Sequence, residues 1–169
     1  MALRFGILTI SDRSSRGERP DASGPALQEV VLSQGWQVVF REIVPDEMSL
    51  LQEKLVAWAD GDEIDVILTT GGTGFSPRDV TPEATSAVIE RPAPGIAEAM
   101  RSASLAVTPH AMLSRAVAGI RSRTLIVNLP GSPRGAVENL RVILPVVAHA
   151  VDLLRGDPGA EAGHRLPAG

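Results

Sequence analysis

Residues 65–84 read DVILTTGGTGFSPRDVTPEA, and the fold turns on how this stretch is parsed. A short apolar run, Asp65–Thr70, stops dead at Gly71-Gly72-Thr73-Gly74. Arg78 and Asp79 follow, and Thr81 then caps a helix whose first position is Pro82. An apolar run, a glycine turn and a capped helix make a strand-to-helix unit of the kind that builds parallel sheets.

The rest of the chain repeats this rhythm. Phe5–Ile10, Gln37–Val44 and Thr124–Leu129 are further β-type runs. Three of the four runs are almost continuously apolar, as strands covered on both faces must be. Helical spacing fills the gaps. Ala26–Ser33 puts Leu27, Val30 and Val31 on one face before Gly35, and Ser49–Ala59 does the same with Leu51, Leu55 and Trp58. A helix is predicted over Gly95–Leu105 and a short one over His110–Val117. Ser132-Pro133 opens the last, which runs to about Leu154 and should kink at Pro145. The pattern predicts an α/β fold with a mainly parallel sheet, in one domain spanning 1–155. A tail, 156–169, has too little apolar content to pack.

The bulk composition narrows the function. The chain has 169 residues, a formal net charge of −4, and 44 % apolar residues. Such a balance argues against a nucleic-acid or anionic-membrane partner, so any anion must be met by local cations. There is no cysteine, which removes disulfides, thiolate metal sites and a cysteine nucleophile. The N-terminal apolar run meets Asp12 without a cleavage pattern, and we read a cytoplasmic protein with no membrane span.

In parallel α/β sheets ligands bind beyond the carboxyl ends of the strands. Each of those ends here turns polar or glycine-rich: Ser11-Asp12-Arg13, Pro45-Asp46-Glu47, Gly71–Gly74 and Pro130-Gly131-Ser132. The four loops carry Arg13, Arg78 and Arg134 as cations and Asp12, Asp46 and Asp79 as carboxylates. Gly71–Gly74 lets backbone N–H groups approach an anion, or it merely makes a tight turn needing positive φ. It is neither a Walker loop nor G-x-G-x-x-G. Asp46 and Asp79 suit a magnesium ion shared with substrate phosphates, or they are a helix cap and a turn residue. Ser132 reads as an N-cap, a position that also offers N–H groups to phosphate. His110, His149 and His164 fall in no motif; His149, on the apolar last helix, reads as a core residue.

TTGGTGFSPRDVTPEAT, together with LSRAVAGIRSRTLIVNLPGSP, ISDRSSRGERPDASGPAL and IVPDE, resembles the molybdopterin adenylyltransferase family. This family includes the bacterial MogA and MoaB proteins and the G domain of gephyrin. The resemblance runs from Phe5 to about Leu154 and implies their single-domain three-layer α/β/α fold. It implies a reaction in molybdenum cofactor biosynthesis, in which AMP passes from ATP to the terminal phosphate of molybdopterin and pyrophosphate leaves. Asp46 and Asp79 match the family's essential aspartates and would hold Mg²⁺. Gly71, Gly72, Thr73, Gly74 and Arg78 would meet nucleotide phosphates. Ser11, Arg13, Pro130, Gly131 and Ser132 would take molybdopterin or the remaining phosphates, with Glu98, Ser114 and Arg115 at the rim. The resemblance also implies a homotrimer and a downstream molybdenum insertase as partner. The alternatives are a non-catalytic molybdopterin-binding scaffold of the MoaB type and a CinA-like domain acting on other nucleotides. At Pro94–Glu98 the chain reads PGIAE where many relatives have PGFGE.

Overall fold

The structure is a computed structural model and describes residues 2–160. The elements run β1 (Arg4–Ile10), α1 (Asp12–Ser15), α2 (Ser23–Ser33), β2 (Gln37–Val44), α3 (Met48–Asp60), β3 (Val66–Thr70) and α4 (Thr81–Val88). They continue with β4 (Arg91–Pro92), α5 (Pro94–Leu105), a 3-10 turn at Pro109–Leu113, β5 (Ala118–Arg121), β6 (Thr124–Leu129) and α6 (Pro133–Arg155). One sheet has the order β2-β1-β3-β6-β5-β4. β2, β1, β3 and β6 are parallel, while β5 and β4 run antiparallel at the far edge.

Period-two alternation sorts the strand side chains onto two faces. Phe5, Ile7, Val66, Leu68, Leu125 and Val127 pack under α2, α5 and α6, against Leu27, Met100, Leu140 and Ile143. Leu8, Ile10, Ile67 and Ile126 point the other way, onto Leu51, Leu55 and Trp58 of α3 and Ala84 of α4. Helices therefore cover both faces, which is why β3 and β6 are buried throughout. β2 alternates between half-buried and exposed positions because it is an edge. There Lys54 pairs with Glu42 at 2.7 Å, and Phe40 stacks on Trp58 with centroids 5.6 Å apart.

Several expectations need correction. The sequence predicts four strands, but a β4–β5 edge is added; its six residues carry no apolar pattern and exist only through pairing with β6. Thr81 is not a cap but the first helical residue, and its hydroxyl donates to the Gly71 carbonyl at 2.9 Å. Of the stretch 110–117 only residues 110–113 coil, as part of a 3-10 turn at Pro109–Leu113. As expected, α6 is one long helix of 23 residues with Pro145 inside it, on its exposed side. Ser132 caps it as expected, accepting from the Gly135 N–H at 3.1 Å. Gly156 closes α6 in the left-handed conformation, and residues 157–160 turn back so that Ala160 is buried. The remainder of the expected tail, 161–169, lies outside the described residues, as does His164.

Candidate active site

The strand order reverses between β1 and β3: the chain leaves β1 for β2 on one side and returns to β3 on the other. A crevice forms at such a point. Here it is a cleft of about 620 Å³ lined by Ser11, Asp46, Gly71, Gly72, Asp79, Gly131 and Ser132 among others. Seven of the sequence-predicted site residues thus meet at one place.

The floor is held by cross-loop bonds. The Gly71 N–H donates to Leu129 O at 3.2 Å, and the Thr70 hydroxyl to Pro130 O at 2.6 Å, tying the ends of β3 and β6 together. Gly71 has φ +107 and passes so close to the Ile10 carbonyl that no Cβ would fit. Gly72, at φ +65, faces Asp46: a Cβ there would stand 2.9 Å from Asp46 Oδ1. The turn therefore requires positive φ, and it also brings bare backbone against a carboxylate.

Asp46 does not cap α3. Glu47 occupies that position, without a side-chain bond. Instead Asp46 Oδ2 accepts from the Asp12 N–H at 3.0 Å, and the Asp46 N–H donates to Asp12 Oδ1 at 3.0 Å. Arg78 grips both oxygens of Asp12 at 2.9 Å, so its guanidinium is spent on a neighbouring loop and does not line the cleft. That grip holds the Asp12 carboxyl below its usual range. Burial, together with the charges of Asp12 and Asp79, pushes the Asp46 carboxyl up. Asp79 Oδ2 accepts from the N–H groups of Gly74 at 3.0 Å and Ser76 at 3.1 Å, so it both shapes the turn and faces the cleft.

Other expected residues lie elsewhere. Thr73, Gly74, Ser114 and Pro130 line a second cleft of about 320 Å³, which shares Ser132 with the first. Glu98 lines a separate depression with Glu90, Pro92 and Arg101. Arg13 is exposed on α1, and Arg134 pairs with Glu138 at 2.7 Å. Arg115 lines none of these three clefts: it donates to Gly74 O at 2.7 Å and Asp79 O at 2.9 Å, and it pairs with Glu83. It is a brace across the back of the glycine turn.

Sequence reasoning missed Asp21, which lines the main cleft and whose carboxylate accepts from Thr9 Oγ1 at 3.0 Å and the Gly24 N–H at 3.0 Å. Its place before Ser23-Gly24-Pro25, a helix opening, was the available signal. Asn128 was missed as well: fully buried, it donates to Thr69 Oγ1 and Thr85 Oγ1, each at 2.9 Å.

Chemically, the cleft offers the carboxylates of Asp21, Asp46 and Asp79 and glycine-rich backbone. Among the described residues no three His, Cys, Asp or Glu side chains cluster closely enough for an all-protein metal cage. Asp46 and Asp79 fit a hard divalent cation that completes its shell with substrate oxygens and water. No helix among the described residues is long and apolar enough to cross a membrane.

A doubly covered α/β sheet with a carboxylate-bearing cleft at its switch point defines a class of small-molecule binding domain. Residues 6–149 match the family described as probable molybdopterin binding domain, and the chain belongs to that family. It is 43 % identical over 157 residues to a molybdopterin adenylyltransferase of Helicobacter pylori, covering 92 % of this chain and 89 % of that one. It is 45 % identical over 163 residues to gephyrin of Dictyostelium discoideum, covering 90 % of this chain but only 23 % of gephyrin. Among solved structures, a molybdopterin biosynthesis enzyme MoaB of Thermus thermophilus superposes with a TM-score of 0.87 at 52 % identity, covering 92 % of this chain and 98 % of that one.

Proposed function

We propose that this chain is a molybdopterin adenylyltransferase acting in molybdenum cofactor biosynthesis. The observation that carries the reading is the convergence of Asp46 and Asp79 with the bare backbone of Gly71 and Gly72 on one cleft of about 620 Å³. The name of the Helicobacter relative, matched over nearly its whole length, supports the same reaction.

The substrates are ATP and molybdopterin. An oxygen of the terminal molybdopterin phosphate attacks the α-phosphorus of ATP. The bond to the β-phosphate breaks, pyrophosphate leaves with the electron pair, and adenylylated molybdopterin remains. Little covalent help is needed, so the protein's part is positioning and charge management. Asp46 and Asp79 would hold Mg²⁺, which when bound supplies neutralisation of the phosphate charge. The backbone at Gly71 and Gly72 approaches the phosphates. Ser11 and Ser132 offer hydroxyls from opposite sides of the cleft. The smaller cleft, sharing Ser132, gives the second substrate a place next to the first. A homotrimer, a cytoplasmic location and hand-over to a molybdenum insertase complete the reading.

The test is direct. Purified protein incubated with molybdopterin, ATP and Mg²⁺, and no other protein, is expected to yield adenylylated molybdopterin and pyrophosphate. Molybdopterin binding without product would replace the enzyme with a carrier or scaffold.

A further inference from the structure

Phosphates usually meet a cation, and the arginines expected for that task are otherwise engaged. Arg78 is bound to Asp12, Arg134 to Glu138, and Arg13 does not line the main cleft. Among the described residues one arginine does line it: Arg19, in the segment joining α1 to α2.

Arg19 is exposed and joins no ion pair or side-chain hydrogen bond among the described residues. Its nearest acidic neighbours in sequence are already committed. Glu18 pairs with Arg16 at 2.7 Å, and Asp21 accepts from Thr9 and Gly24. A guanidinium left without a carboxylate, at a cleft wall that also includes Ser132, is complementary to a phosphate. The three carboxylates Asp21, Asp46 and Asp79 line the same cleft, so a bare anion would be repelled unless some cation faced it.

We propose that Arg19 is a substrate-binding residue that takes a phosphate group in the main cleft. This rests on the adenylyltransferase reading and names the side chain that answers the substrate's charge. The phosphate belongs either to ATP or to molybdopterin.

The experiment compares wild type, Arg19→Ala and Arg19→Lys by calorimetric titration with ATP plus Mg²⁺ and, separately, with molybdopterin, followed by steady-state kinetics. Loss of one charge-assisted contact predicts binding weaker by about ten- to hundred-fold for one of the two substrates. KM for that substrate rises in step, with partial recovery in Arg19→Lys and an unchanged melting temperature. A selective loss for ATP places Arg19 on the nucleotide phosphates; a selective loss for molybdopterin places it on the pterin's phosphate. Unaltered affinity for both in Arg19→Ala overturns the assignment. Failure of the wild type to bind either substrate would instead overturn the adenylyltransferase reading, so the two failures are distinguishable.

Discussion

Asp12 and Asp46 hold each other by exchanging backbone donors: each amide N–H donates to the other's carboxylate, both at 3.0 Å. Two residues 34 positions apart are thereby locked into one rigid unit, and Arg78 neutralises the member that lies farther from the cleft. Removing the Asp12 side chain strands the Asp46 N–H and the Arg78 guanidinium, and leaves the backbone N–H of residue 12 as the one remaining link to the Asp46 carboxylate. Asp12→Ala should cost about 1–2 kcal/mol in urea unfolding and lower turnover at least tenfold. Asp12→Asn, which keeps an acceptor oxygen, should recover most of the stability.

Asp46 makes an unusual pH signature. Burial raises its folded-state pKa above the unfolded value of about 3.9. Its stabilising contribution is therefore fully present below about pH 3.9 and is lost as pH rises through the raised value. At neutral pH the ionised carboxylate is a burden on the fold. Asp46→Asn keeps an oxygen for the Asp12 N–H, and so should be at least as stable as wild type at pH 7, while losing activity by two orders of magnitude or more. The stability advantage should shrink as the pH is lowered toward 4; a variant clearly less stable at pH 7 would contradict this.

For Asp79 two substitutions separate shape from charge. Asp79→Ala removes the acceptor of the Gly74 and Ser76 N–H groups, so turn and activity should fail together. Asp79→Asn can still accept through its amide oxygen but carries no charge. We expect a melting temperature within a few degrees of wild type and turnover reduced more than a hundredfold. Substantial activity in Asp79→Asn would remove the carboxylate from any cation-holding role.

The glycine turn tolerates no side chain. An alanine Cβ at Gly71 would lie 2.2 Å from the Ile10 carbonyl oxygen, a backbone atom that cannot step aside. Gly71→Ala should cost about 2 kcal/mol or more in thermal or urea unfolding. At Gly72 the nearest obstacles are side-chain oxygens of Thr81 and Asp46, at 2.3 and 2.9 Å. Gly72→Ala should therefore damage activity more than its stability loss explains, because Asp46 must move.

Arg115 predicts an effect at a distance from any ligand. Losing its bonds to the Gly74 and Asp79 carbonyls should unpin residues 74–79. Arg115→Ala should lose about 1–3 kcal/mol of stability, and proteolysis should sever this turn faster than in wild type. Arg115→Lys keeps a charge for Glu83 but not the planar fork, and should behave closer to alanine than to arginine.

Much of this architecture is legible in the chain itself. Thr124–Leu129 and Gln37–Val44 are bounded as their residue patterns predict, because burial on both faces, or on alternate ones, leaves a periodic mark. The cleft-lining Ser11, Asp46, Gly71, Gly72, Asp79, Gly131 and Ser132 follow from one rule, that strand carboxyl ends converge. Arg78, Arg115 and Arg19 do not follow from it. A loop's residues reveal its chemistry, but which arginine finds a carboxylate, a carbonyl or open solvent depends on neighbours 36 or 66 positions away. β4 and β5 were hidden for a related reason: a two-residue strand is defined by its partner.

The order in which the cleft's walls occur along the chain has a consequence for biosynthesis. Ser11 arrives near the beginning, but Gly131 and Ser132 come only after β6, whose partner β3 lies 59 positions earlier at Val66↔Leu125. A growing polypeptide emerging from the ribosome can therefore hold β1, β2 and the glycine turn while still having no closed pocket. Sheet completion waits on a long-range parallel pairing, which is slow to nucleate. Substrate would then select for finished molecules: ligand added during refolding should stabilise the end state without accelerating the first collapse.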